Sequence, residues 1–124
     1  PMNLMDAEAA PGGVRGAGGA LWPLRLPAGA PRHLTLGLRA GGLREAAREG
    51  DVRIDATVSL AEIAGSDTFV HVHSPVGELV AQLAGVHNLG LGAAIALYLD
   101  PRQLFVFDAG GPLVSAPARS GGTT

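Results

Sequence analysis

Apolar and polar residues alternate with a period of two over much of this chain, the repeat expected of strands with one buried face. The clearest run interleaves Val52, Ile54, Ala56, Val58 and Leu60 with Arg53, Asp55, Thr57 and Ser59. A tight Gly65-Ser66-Asp67 corner leads into a second run, where Thr68, Val70 and Val72 alternate with Phe69, His71 and His73. Ser74-Pro75-Val76-Gly77 reads as a hairpin turn, after which Leu79, Ala81 and Leu83 share one face. Earlier in the chain, Leu34, Leu36 and Leu38 oppose His33, Thr35, Gly37 and Arg39.

The intervals between these runs are less regular. Residues 6–19 are rich in Gly and Ala and read as a loop or loose hairpin. Leu21 to Leu26 forms a short strand whose Pro23 lacks a ladder donor, which places it at a sheet edge. Ala40-Gly41-Gly42 breaks the Leu34–Leu38 strand, and Leu43 to Glu49 suits one or two helical turns stopped at Gly50. Residues 85–92 are a connection. Ile95, Leu97 and Leu99 mark a further strand, Asp100 to Gln103 a turn, and Leu104 to Asp108 an apolar strand followed by Leu113-Val114. Seven or eight short strands predict an all-β fold, an antiparallel sheet, sandwich or small barrel with at most one short helix. The expected domain covers residues 1–114, with residues 115–124 a disordered tail.

Composition narrows this picture. Apolar residues make up 47% of the chain, but the aromatics are only Trp22, Phe69, Tyr98, Phe105 and Phe107, so the core must be aliphatic. All nine basic residues are Arg and the net charge is −2, which leaves no electrostatic footprint for nucleic acid or an anionic membrane. There is no Cys, so disulfides and thiolate metal sites are excluded. No apolar run is long enough to span a bilayer as a helix, and the first residues lack a signal-peptide pattern. An opening Pro1 reads as a cut from something longer.

Candidate chemistry is sparse. A phosphate-cradling loop needs Lys, and the chain has none. Gly16-Ala17-Gly18-Gly19 and Gly90-Leu91-Gly92 read as turns. His71 and His73 project from one strand face and are the weak alternative for a metal site, although no third ligand shares their presentation. Ser66, Asp67 and His71 invite comparison with a catalytic triad, but Ser66 lies in a strand-to-strand corner without the strand–elbow–helix setting of a nucleophile. Asp67 is better read as a turn residue.

Several segments together resemble a known family. Pro1-Met2-Asn3-Leu4 resembles a Pro-x-x-Met-Asn segment, and Leu36-Gly37-Leu38-Arg39 resembles a Leu-Gly-Ile-Arg segment whose following Pro-Glu is Ala40-Gly41 here. Val58 to Val72, with Glu62 in its place, resembles a strand pair built around Gly-Ser-Asp/Glu-Thr. Leu99-Asp100-Pro101-Arg102 and Phe105 to Gly111 resemble its closing segment, with Phe105 where His is usual. These are landmarks of the C-terminal transport-associated OB-like (TOBE-type) domain of sugar- and glycerol-phosphate-type ABC importer ATPases, such as those of maltose-type importers.

The resemblance implies an OB-like antiparallel barrel with additional strands. It implies a non-catalytic regulatory and dimer-stabilising role in the ATP-binding subunit of an importer for carbohydrate or glycerol phosphate. This chain would then be no enzyme and would hold no cofactor, since ATP and Mg belong to the missing motor domain. Implied partners are the same domain of a second subunit in a homodimer, its own nucleotide-binding domain, and a regulatory protein or small molecule. The location implied is the cytoplasmic face of a bacterial inner membrane, peripheral, with the isolated domain soluble. Matching to the family singles out Arg39, Gly65, Ser66, Asp67 and Thr68 as partner contacts. The alternative is a free-standing oxyanion-binding module. The absence of Lys and of a Ser-Ala-Arg-Asn-like segment weighs against it.

Overall fold

A computed structural model describes residues 1–117 and is built from strands. In chain order these are β1 (Met2–Ala10), β2 (Gly13–Gly16), β3 (Leu21–Pro23), β4 (His33–Arg39), β5 (Val52–Ala64), β6 (Asp67–Ser74), β7 (Gly77–Ala84), β8 (Ala94–Leu99), β9 (Phe105–Asp108) and β10 (Leu113–Ser115). Single 3-10 turns at Ala40–Gly42 and Pro101–Gln103 are the helical elements among the described residues. The strands form a six-stranded sheet, β10-β9-β4-β1-β2-β3, and a four-stranded sheet, β7-β6-β5-β8, with all pairings antiparallel. The two curled sheets enclose one core in an OB-like barrel with added strands, in agreement with the all-β expectation.

The alternation seen in sequence lines this core. Leu34, Leu36 and Leu38 from β4 meet Ile54, Ala56 and Val58 from β5, Val70 and Val72 from β6, and Leu79, Ala81 and Leu83 from β7. Leu97 and Leu99 of β8, with Leu104 and Val106, complete an almost wholly aliphatic interior. Burying side chains of this size stabilises the fold by roughly 1.5–3 kcal/mol each relative to exposure. Pro23 lies on β3, at the edge of the larger sheet, where its missing N–H breaks no ladder.

Several expectations are corrected, and one of two open readings is decided. Of the two readings of residues 6–19 the hairpin holds: β1 runs from Met2 to Ala10, pairs with β2 across Pro11-Gly12, and pairs on its other side with β4. Leu43 to Glu49 is not helical. The Arg44 amide donates to the Tyr98 carbonyl at 2.9 Å and the Tyr98 amide returns the bond at 2.8 Å, so backbone pairing to β8 overrides local helix propensity. Leu60 does not continue the buried face of Ile54 and Val58. The β5–β6 register slips between Val58 and Leu60, a bulge that turns Leu60 outward to 46% exposure. Among the described residues the strands number ten rather than seven or eight. Of the expected disordered tail, Ser115 pairs with Val106, and residues 118–124 lie outside the described residues.

One buried polar residue joins the two sheets. Asn3 of β1 is 8% exposed, and its amide makes two hydrogen bonds with the backbone of Val80 in β7. Asn3 Nδ2 donates to the Val80 carbonyl at 2.9 Å, and the Val80 amide donates to Asn3 Oδ1 at 2.7 Å. The side chain thereby pairs an edge strand as a neighbouring backbone would. Replacing Asn3 by Ala should leave both Val80 groups without partners and destabilise the domain by about 3 kcal/mol. Urea unfolding should show this as a lower midpoint at unchanged slope.

Candidate functional site

The corner singled out in sequence is a two-residue hairpin turn between Ala64 and Asp67, which pair across it. Gly65 has a φ of +63°, and no non-glycine among the described residues has a positive φ. That combination fits a type II′ turn, whose first central position favours Gly because a side chain there is strained. Asp67 follows, and its Oδ2 accepts a hydrogen bond from Gln82 Nε2 at 2.7 Å. The Ser66 carbonyl accepts from the Gly85 amide at 2.7 Å.

Thr68 is fully buried, so it does not present a contact surface. Its Oγ1 donates to the Gly85 carbonyl at 2.8 Å and accepts from the His87 amide at 3.0 Å. It acts as a rivet between the corner and the connection after β7. His87 adds two contacts of its own, Nε2 to the Ala84 carbonyl at 2.8 Å and Nδ1 to Glu45 Oε1 at 3.2 Å. Of the expected contacts on this corner, Gly65 and Ser66 are exposed and Asp67 is half-buried.

Arg39 lies elsewhere, at the end of β4. Its guanidinium sits 5.4 Å above the centre of the Phe105 ring. It borders a cleft of about 820 Å³ whose lining includes Arg44, Gln82, Asp100, Gln103 and Phe105. Gln82 lines that cleft and also bonds Asp67, so one side chain connects the two regions picked out separately in sequence.

The imagined triad does not assemble. His71 Nε2 lies 3.0 Å from Glu62 Oε1, while the Asp67 carboxylate is held by Gln82. His73 Nδ1 lies 3.1 Å from Glu78 Oε1. Each histidine of that pair has its own carboxylate neighbour, and no three His, Asp or Glu side chains converge on one point among the described residues.

An ion pair that sequence reading missed braces the cleft. Arg44 Nη2 reaches both carboxylate oxygens of Asp51 at 2.8 Å, and the Asp51 side chain is only 4% exposed. The Arg44 guanidinium holds the Asp51 carboxyl below its ordinary value, helped by the Arg48 amide and opposed by burial. Asp100 is lowered in the same way, chiefly by the Arg102 guanidinium, and its Oδ1 caps the following 3-10 turn through the Arg102 amide. Arg44 and Asp51 meet across a segment that is neither helix nor strand, so their spacing matched no periodic pattern.

Comparison with known proteins adds family context to this geometry. The TOBE domain family matches residues 31–107, more than half of the chain. The sn-glycerol-3-phosphate import ATP-binding protein UgpC of Paracoccus denitrificans is 34% identical over 109 residues, covering 86% of this chain and 30% of that protein. Its namesake from Chromobacterium violaceum is 35% identical over 112 residues, covering 87% of this chain and again 30% of the relative. The chain therefore spans about a third of the length of these curated relatives.

Two outcomes follow from the site geometry. Thr68→Val keeps the side-chain shape but removes both hydroxyl bonds, and should cost about 1–2 kcal/mol while speeding amide exchange at His87, measured by NMR. The second concerns acid. Asp51 and Asp100 have folded values below the ordinary 3.8, so their stabilisation is complete above the unfolded value. It is lost as pH falls through the folded values. Melting temperature should thus hold between pH 7 and about 5 and drop below about 4. Asp51→Asn should melt lower at pH 7 and show a smaller acid-induced drop.

Proposed function

The chain belongs to the TOBE domain family, and from that premise we propose that it is the non-catalytic accessory domain of the ATP-binding subunit of an ABC importer. The observation that carries this reading is the alignment of almost the whole chain with only 30% of two sn-glycerol-3-phosphate import ATP-binding proteins. A segment so placed is one domain of a larger subunit. The cargo is accordingly glycerol phosphate or a related carbohydrate. ATP and Mg bind in the remainder of that subunit, since a P-loop needs a Lys and these residues contain none.

The domain's role is to hold two subunits together while their motors open and close on the cytoplasmic face of the membrane. A regulator acting here changes transport only by binding one dimer state more tightly than the other. Arg39, Gly65, Ser66 and Asp67 are the contacts of this reading, with Thr68 holding the corner in shape. A hairpin turn riveted on its inner side suits that role, because a rigid tip loses little conformational entropy when it docks.

The coding frame upstream of Pro1 should run without interruption into a P-loop and an ABC signature. A start codon and promoter at that point would overturn the proposal. The purified chain should show no ATP hydrolysis above buffer and no heat of binding with molybdate, tungstate or sulfate. Micromolar oxyanion affinity would instead favour the free-standing binding module.

A further inference from the structure

The outer edge of β5 changes character at its bulge. Up to Thr57 it pairs with β8, and the Val58 amide and carbonyl are taken by Ala93 and Gly92 at 2.9 and 2.7 Å. Beyond the bulge the strand continues to Ala64 with β6 on one side only. A two-residue turn makes Ala64–Asp67 a hydrogen-bonded pair, and alternation then points the peptide groups of Glu62 and Leu60 toward β6. The amides and carbonyls of Ala61 and Ile63 therefore point away from it. No hydrogen bond meets them among the described residues.

This open edge has no Pro and no Lys, and Ile63 is 54% exposed on it; Glu62 is its one charge and the bulge lies only at its start. Beside it lies a recess of about 360 Å³ between Ala61 and Ile63 on one side and the His87–Gly90 connection on the other. Ala61 and Ile63 share the strand face of Val70 and Thr68, their cross-strand partners, whereas Glu62 projects to the opposite face beside His71. We propose that the β5 edge from Leu60 to Ala64 is a docking site for an extended peptide segment of another protein, added as a further strand. Residues of the peptide opposite Ala61 and Ile63 enter the recess and are apolar. The residue opposite Glu62 faces outward and is basic. A second copy of this chain in the two-fold register that pairs Ala61 with Ile63 sets Glu62 against Glu62, a like-charge pair, and registers centred on Ala61 or Ile63 leave Glu62 without a basic partner.

The test uses the full chain and two probes, acetyl-Thr-Val-Arg-Val-Thr-amide and the same peptide with Glu in place of Arg. In NMR titrations the Ala61 and Ile63 amides should exchange rapidly in the free chain and become protected with the Arg peptide. The Arg peptide should bind about fivefold more tightly than the Glu peptide, and Glu62→Lys, an exposed change, should invert that preference. Protection of Ala61 and Ile63 before peptide is added would overturn the proposal. So would equal affinities, a Glu62→Lys variant with unchanged preference, or shifts that map to another edge. Concentration-dependent dimerisation through this edge in sedimentation would assign it to a second copy instead.

Discussion

The barrel depends on how the edge of the smaller sheet is closed. β7 is one of the two outermost strands of its sheet, and the peptide groups of Val80 point away from β6 toward β1. Left unpaired and covered, such groups would oppose folding as strongly as hydrophobic burial at several positions favours it. Asn3 resolves this at Val80 by offering a donor and an acceptor in the spacing of a peptide unit. Because Asn3 sits on β1, inside the six-stranded sheet, the same contact fixes how the two sheets face each other. The Arg44–Tyr98 bridge joins the Leu43–Asp51 segment to β8 in a comparable way, and the buried Asp51 carboxylate braces it.

With the sheets so fixed, the β5–β6 hairpin is free to extend past the core. The bulge after Val58 shifts the register by one residue, which changes the face on which each later side chain emerges. Leu60 turns outward, Ile63 reaches beyond the core, and the Gly65-Ser66 tip stands clear of the barrel body. The Thr68 hydroxyl and the Ser66 carbonyl tie that tip to Gly85 and His87, so the projection is supported on its inner side. Its outer edge has no such support. The family-matched corner and the open strand edge are thus consequences of one bulge.

How much of this was legible depended on whether burial followed hydrophobicity. It did in β4, β6 and β7, where Leu, Val and Ala alternate with polar residues and the buried faces are those expected. It failed in β1, where Asn3 is buried and Leu4 is 63% exposed, so the sequence contrast runs opposite to the structure. It failed again at Ser59, since Val58 and Leu60 alternate on paper while the backbone inserts a residue between their pairings. Among the site residues, the turn chemistry of Gly65 agrees with a sequence reading, whereas Asp67, read there as a turn residue, begins β6 and bonds the Gln82 side chain. The burial of Thr68 and the link through Gln82 depend on neighbours more than a dozen residues away, and the Arg44–Asp51 pair, seven residues apart, follows no helix or strand period.

The sequence by itself determined the all-β class, the aliphatic composition of the core, most strand positions and the tight turn at Gly65-Ser66. These follow from period-two patterning and from the backbone preferences of Gly and Pro, which act over a few residues and need no partner. Only the tertiary structure decided that Asn3 would clasp Val80, that Arg44 would bridge to Tyr98 in place of a helical turn, and that β5 would bulge. Those outcomes satisfy backbone groups whose partners lie dozens of residues away. Local preference is worth a few tenths of a kcal/mol per residue, whereas an unmet buried hydrogen bond costs about 1–3, so the distant partner prevails.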